Sequence, residues 1–196
     1  RNSAFVSQSG AFMITRLSKN PWIDPAYMIA VGNQNDLGHG SMLNYFIDHE
    51  DIDVIGFYIE GFRDHDGLVF ARAVRKAVEA GKQVIVYKAG QTRSGQTAAL
   101  GHTASIAGDF AICDALLSSA GAIVCSDFGE FSDLFYLAPL LHDKELCNNQ
   151  LAAVSGAGFE TVGIADGLQV GTYSMSMAEL TSQTKDRLAE ILTAKK

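Results

Sequence analysis

The residues of this chain that can do chemistry fall into three groups. The first is a pair of serine- and glycine-bearing turns, Ser7-Gln8-Ser9-Gly10 and Ser155-Gly156-Ala157-Gly158, each set between an apolar run and a helix-like segment. A helix starting at such a turn points unpaired N–H groups and the positive end of its dipole outward, and small residues let an anion come close. The second is one imidazole, His102, between Gly101 and Thr103 in the glycine-rich stretch from Lys88 to Gly108. The third is Glu60, at the end of the run Gly56-Phe57-Tyr58-Ile59. A carboxylate facing one imidazole nitrogen fixes the tautomer and stabilises the imidazolium, which leaves the other nitrogen as a nucleophile. Taken singly, each group also has an ordinary explanation: turn punctuation, a surface histidine, a solvated carboxylate. Asn33-Gln34-Asn35-Asp36 either lines the same site or is a polar turn.

The elements that must position these residues alternate between strand-like and helical patterns. Ala4–Ser7 reads as a strand and Ala11–Lys19 as a helix. Tyr27–Val31, Val54–Ile59, Gln83–Lys88 and Ala122–Cys125 read as further strands. Helices are expected over His39–Asp48, Gly67–Ala80, about Asp109–Ser119 and Gly129–Leu141. The stretch from Ala89 to Gly108 is expected to be a long pliable loop, and loops of that length are usually functional. Five strands, each followed by a helix, predict an α/β fold with a doubly wound, flavodoxin-like parallel sheet. In such a sheet ligands bind beyond the carboxyl ends of the strands, the edge to which the first turn, Glu60 and the His102 stretch are all assigned.

The polar stretch His142–Gln150 reads as a linker. Beyond it Leu151–Ser155, the second turn and Phe159–Leu168 repeat weakly the opening strand, turn and helix. One amphipathic helix, about Thr184–Ala194, remains. The expected organisation is a flavodoxin-like domain over residues 1–146 and a partial, truncated second flavodoxin-like unit over 147–196.

Composition narrows the function classes. In 196 residues, 47% are hydrophobic and 19% charged, enough to bury a core, which excludes disorder and collagen-like structure. A net charge of −7 supplies no basic field for a nucleic acid, so no nucleic-acid partner is expected. The three cysteines form no CxxC pair, and His39, His49, His65 and His142 lack metal-ligand spacing, so neither disulfides nor a zinc site is expected. No apolar run reaches the roughly 18 residues of a membrane span, and Arg1-Asn2-Ser3 does not open a signal peptide. A cytoplasmic setting is expected, and a start without Met suggests a processed or excised chain. Gly-x-Ser-x-Gly is not matched at Ser7–Ala11, which argues against a serine hydrolase.

Five motifs in order resemble the NDP-forming acyl-CoA synthetases, the family of ADP-forming acetyl-CoA synthetase and succinyl-CoA synthetase. They are Val6-Ser7-Gln8-Ser9-Gly10-Ala11, Val31-Gly32-Asn33, Tyr58-Ile59-Glu60-Gly61, the pair Val86–Thr92 and Gly101–Gly108, and Ser155-Gly156-Ala157-Gly158. The resemblance runs from about Phe5 to Leu168. It implies a reversible reaction in which acyl-CoA and phosphate give an acyl phosphate, a histidine takes the phosphoryl group, and a nucleotide on an ATP-grasp domain receives it. Carried over, His102 is the phosphorylated nucleophile and Glu60 its orienting carboxylate. Ser7, Gln8, Ser9, Gly10, Gly101, Thr103, Ser155, Gly156, Ala157 and Gly158 surround the phosphate. The family's CoA-binding Rossmann domain and ATP-grasp domain are not in this sequence. The resemblance therefore implies that this chain binds no cofactor alone, that CoA, nucleotide and magnesium sit on partner domains or subunits, and that the protein works in an assembly. The alternatives are a non-catalytic regulatory or assembly domain on the same scaffold, and a plain flavodoxin-like binder of a small anion or nucleotide.

Overall fold

The computed structural model describes residues 1–63, 65–102, 109–145 and 148–193, with the backbone alone at 99–102 and 170. They divide into two compact units, Arg1–Lys144 and Glu145–Lys196.

In the first unit β1 (Ser3–Ser7), β2 (Tyr27–Ala30), β3 (Val54–Ile59), β4 (Gln83–Lys88) and β5 (Ile123–Val124) form a parallel sheet in the order β2-β1-β3-β4-β5. Helices α1 (Gly10–Lys19), α2 (His39–Ile47), α3 (Asp66–Glu79), α4 (Arg93–His102), α5 (Phe110–Ser119) and α6 (Phe128–Leu141) connect and flank the strands. Alternation along the strands feeds two cores. Ala4, Val6, Ile55, Phe57, Ile59, Val84 and Val86 meet Leu43, Phe46, Phe70, Val74, Ala77 and Leu117 from α2, α3 and α5. Phe5, Val54, Tyr58 and Ile85 meet Met13, Phe131 and Phe135 from α1 and α6. A sheet buried on both faces needs this near-continuous apolar pattern, and the doubly wound expectation is borne out.

The helix starts follow from local chemistry. Ser9 accepts the Phe12 N–H at 3.2 Å and caps α1, Asp109 accepts the Ala111 N–H at 2.8 Å and caps α5, and Asp127 accepts the N–H groups of Gly129 and Glu130 and caps α6. On β3, Gly56 lets α6 approach, because a Cβ there would stand 2.7 Å from the Phe135 ring.

The expected loop from Ala89 to Gly108 is a correction: residues Arg93–His102 form α4. Thr92 is its start signal, since its hydroxyl oxygen accepts the Gly95 N–H at 3.1 Å. Gly95 and Gly101 mask the helical character of the segment in sequence, while Ala98, Ala99 and Leu100 sustain it. Residues 103–108, including Thr103, lie outside the described residues.

The second unit departs from expectation in detail. Its first strand, β6, is only Gln150–Leu151, and it pairs in parallel with β9 (Ser176–Met177). Helix α7 covers Gly158–Asp166. Between α7 and the last helix, α8 (Ser182–Thr193), lie β9 and an antiparallel pair, β7 (Gln169–Val170) with β8 (Tyr173–Ser174). Strands of two residues are too short to write a period into the sequence.

Candidate functional site

The strand order reverses at β1, whose neighbours are β2 on one side and β3 on the other. In an open α/β sheet the crevice between the carboxyl ends of the strands at that switch point is where ligands bind. Here those ends are Ser7-Gln8 and Glu60, and the Gln8 N–H donates to the Tyr58 carbonyl at 3.0 Å, which carries the β1–β3 pairing to the rim.

Ser7 is wholly buried, and its hydroxyl is engaged in the turn itself. It donates to the Ser9 carbonyl at 2.6 Å and accepts the Ser9 N–H at 3.2 Å. Ser9 then caps α1 by taking the Phe12 N–H, and the N–H groups of Gly10 and Ala11 at the helix start have no i−4 carbonyl to bond. Gln8 points elsewhere: its Oε1 accepts the N–H of Glu60 at 2.8 Å and of Gly61 at 3.1 Å, and its buried Nε2 has no partner among the described residues.

Glu60 is 7% exposed. Its Oε1 accepts the Tyr58 hydroxyl at 3.2 Å, and its carbonyl accepts Lys88 Nζ at 2.8 Å. It lines a cleft of about 430 Å³ together with Ser9, Tyr58, Tyr87, Ala89, Gly90, Gly95 and Ala98. The α1 cap, the ends of β3 and β4 and the middle of α4 thus border one space. His102 is the last residue of α4 and Gly101 the one before it. The side chain of His102 lies outside the described atoms.

Four aromatic residues that the sequence reading did not single out pack beside the cleft. Tyr58 and Tyr87, register partners on β3 and β4, stack at 6.0 Å. Phe12 stacks on Tyr58 at 4.0 Å, and Phe128 leans on Tyr87 at 4.6 Å. The Arg16 guanidinium lies 5.6 Å from the Phe12 ring and 5.3 Å from that of Phe128, within cation–π range. Burial raises the Tyr58 hydroxyl above its ordinary value, and the Glu60 charge and hydrogen bond raise it further, so it remains a neutral donor. Strand-end tyrosines two residues before Glu60 and one before Lys88 were the available signal.

The polar turn after β2 belongs to the same neighbourhood. Gln34, with φ +56°, donates from Nε2 to the Gly61 carbonyl at 2.9 Å, and Arg63 donates to the carbonyls of Gln34 and Asn35. His39, by contrast, is fully buried among Phe57, Phe62 and Phe70. Burial, and then the charge of Lys88, holds its imidazole down at about 3, so it is neutral at ordinary pH. Among the described residues no three His, Cys, Asp or Glu side chains gather to hold a metal ion, and no helix is long and apolar enough to cross a membrane.

In the second unit the Ser155 turn repeats the two hydroxyl bonds of the Ser7 turn, without a side-chain cap like that of Ser9. The Ser155 hydroxyl donates to the Ala157 carbonyl at 3.2 Å and accepts the Ala157 N–H at 3.1 Å, and it also meets the Glu160 carboxylate. Ala157 is the N-cap of α7, and a Cβ at Gly156 or Gly158 would meet nothing within 4 Å. This turn therefore presents open backbone at a helix N-terminus, as the first does.

Comparison with known proteins agrees with this architecture. The family model for the succinyl-CoA ligase-like flavodoxin domain matches residues 1–138. An ADP-forming acetate–CoA ligase of Methanocaldococcus jannaschii is 31% identical over 96% of this chain and 26% of its own length. A second, from Archaeoglobus fulgidus, is 35% identical over 97% of this chain and 27% of its own. The alpha subunit of ADP-forming acetate–CoA ligase II of Pyrococcus furiosus is 31% identical, with 97% and 40% covered. Among solved structures, the dinucleotide-forming acetyl-coenzyme A synthetase 1 of Ca. Korarchaeum cryptofilum, in complex with phosphate and ADP, superposes with a TM-score of 0.61. It is 31% identical over 68% of this chain and 29% of that one. The chain thus spans between about a quarter and two fifths of the length of these relatives. With its sheet order, its switch-point cleft and its family match over more than half its length, the chain belongs to the succinyl-CoA ligase-like flavodoxin domain family of the NDP-forming acyl-CoA synthetases.

Proposed function

We propose that this chain is the phosphohistidine-carrying segment of an NDP-forming acyl-CoA synthetase, with His102 as the carrier and Glu60 as its orienting carboxylate. The observation that carries this reading is the shared cleft. Ser9, Glu60 and the α4 residues Gly95 and Ala98 border it, and position 102 follows Ala98 by four residues and Gly95 by seven, the register of one helix face. Four residues of helix advance about 6 Å, which sets His102 one turn from a residue that lines the cleft.

In this reading an imidazole nitrogen of His102 attacks the phosphorus of an acyl phosphate, the bond to the acyl oxygen breaks, and the carboxylic acid leaves as its anion. Glu60 stabilises the cationic ring that forms. The free N–H groups at the start of α1, from Gly10 on, stabilise the phosphoryl oxygens, which lets an acidic protein hold a multiply charged anion. The Ser155-Gly156-Ala157-Gly158 turn is, in this reading, a second phosphate-binding helix start in its own unit. Gly101 and Thr103 flank the carrier. Transfer to a nucleoside diphosphate on an ATP-grasp domain or subunit regenerates the neutral ring, and a CoA-binding Rossmann domain supplies the thioester chemistry. Magnesium, CoA and nucleotide belong to those partners. The net reaction is acyl-CoA + phosphate + NDP ⇌ acid + CoA + NTP, in a cytoplasmic assembly. The relatives' names as ADP-forming ligases, and the phosphate and ADP in the Korarchaeum complex, support it.

The test is incubation of the chain with its nucleotide-binding partner and labelled acetyl phosphate. An acid-labile, alkali-stable phosphoprotein is expected, absent in His102→Ala and formed more slowly in Glu60→Gln. A wild-type chain that takes no label under conditions where a control synthetase does would favour the non-catalytic assembly role.

A further inference from the structure

The Glu60–Gly61 segment is held by all four of its backbone hydrogen-bonding groups, and every partner is a buried side chain from another element. Gln8 Oε1 takes both N–H groups, Lys88 Nζ donates to the Glu60 carbonyl at 2.8 Å, and Gln34 Nε2 donates to the Gly61 carbonyl. Gln8, Gln34 and Lys88 are 5%, 1% and 1% exposed. The β3–β4 ladder ends where the Ala89 N–H donates to the Ile59 carbonyl. Past that point Lys88 Nζ bridges the carbonyls of Glu60 and, at 2.6 Å, Ala89, joining the two strand ends with one ammonium group.

Lys88 is the unexpected member. An ammonium group taken out of water is costly unless it is well paired, and a methionine would fill the same space without that cost. Lys88 is buried and is not among the residues that line the cleft. Its two bonds fix the backbone from which the Glu60 side chain springs and tie that backbone to the end of β4. Burial lowers its own proton affinity, while Cys113 and Glu60 act in the opposite sense.

We infer that Lys88, with Gln8 and Gln34, is a positioning residue for Glu60, forming a three-sided clamp that fixes where the carboxylate stands in the cleft. This inference rests on the phosphohistidine reading for its functional consequence, and on hydrogen-bond geometry alone for its structural one. Displacing a catalytic group by about 1 Å costs on the order of a hundredfold in rate, so loosening the clamp is expected to slow labelling by about tenfold or more.

The experiment is a double-mutant cycle on His102 labelling by acetyl phosphate, with the nucleotide-binding partner present. Lys88→Met is expected to lower the rate at saturating acetyl phosphate and leave half-saturation unchanged. Lys88→Met/Glu60→Gln is expected to be no slower than Glu60→Gln alone, because the lysine acts through the carboxylate. Multiplying effects, or a Lys88→Met protein that labels at the wild-type rate, would overturn the clamp. So would a Glu60→Gln protein as fast as wild type, since the clamp would then position nothing of use. Should Lys88→Met fail to fold, Gln8→Met runs the same cycle. If the wild-type chain takes no label, the phosphohistidine reading has failed, and amide hydrogen exchange at Glu60 and Gly61 decides the clamp by itself. Faster exchange at both in Gln8→Met supports it, and unchanged exchange overturns it.

Discussion

The hydroxyl of Tyr58 donates to Oε1 of Glu60 at 3.2 Å, two residues along the same strand end. Phe12 stacks on the Tyr58 ring at 4.0 Å and Tyr87 lies beside it at 6.0 Å, so the donor is fixed in direction as well as in distance. With its proton held tightly, Tyr58 is a neutral donor that orients one carboxylate oxygen across the working pH range.

Removal of that hydroxyl is expected to cost about 1 kcal/mol of orientation, roughly a fivefold fall in the rate of His102 labelling. Tyr58→Phe keeps the ring stack, so its folding should be close to that of wild type. Initial labelling rates measured side by side check this, and equal rates would remove Tyr58 from the site.

Acid sensitivity should trace in part to His39. Its folded value of about 3 lies below the ordinary 6.5, so between those limits the unfolded chain binds the additional proton. The corresponding stability is complete above pH 6.5 and is lost as pH falls toward 3. His39→Phe, which fits the cage of Phe57, Phe62 and Phe70, should flatten the dependence of stability on pH between about 6 and 4. The expected reduction is about 1.4 kcal/mol per pH unit, the slope for one proton. Denaturant unfolding at a series of pH values measures it, and parallel curves for the two proteins would contradict it.

Gly56 should tolerate no side chain. A Cβ at that position meets Phe135 Cδ2 at 2.7 Å and Cε2 at 2.8 Å, in a core where Phe135 is itself buried. Gly56→Ala is expected to destabilise the first unit by about 1–3 kcal/mol through overpacking, readable as a lower Tm. An unchanged Tm would mean that α6 can shift away from the sheet at little cost.

Much of this was legible from the residues alone. Apolar runs such as Val84-Ile85-Val86 mark strands covered on both faces, and the order of strands and helices leads to a sheet whose carboxyl edge gathers Ser9, Gly10 and Glu60. The Ser7 and Ser155 turns, a weak repeat in sequence, prove alike at the level of individual hydrogen bonds. The clamp was not legible, because Gln8, Gln34 and Lys88 meet at Glu60–Gly61 only through pairings 27 to 53 residues apart in the chain. The tyrosine stack depends in the same way on the register that sets Tyr58 beside Tyr87. Helix α4 was hidden by its glycines, although Thr92 wrote its cap.

The most direct measurement is site-resolved mapping of the phosphoryl group after brief exposure of the chain and its nucleotide-binding partner to acetyl phosphate. Peptides generated and separated at alkaline pH would preserve a phosphoramidate bond for mass spectrometry. The phosphoryl group is predicted on His102 alone, discharged when a nucleoside diphosphate is added. A label on any other residue of this chain, or turnover by the assembly with His102 never phosphorylated, would contradict the account.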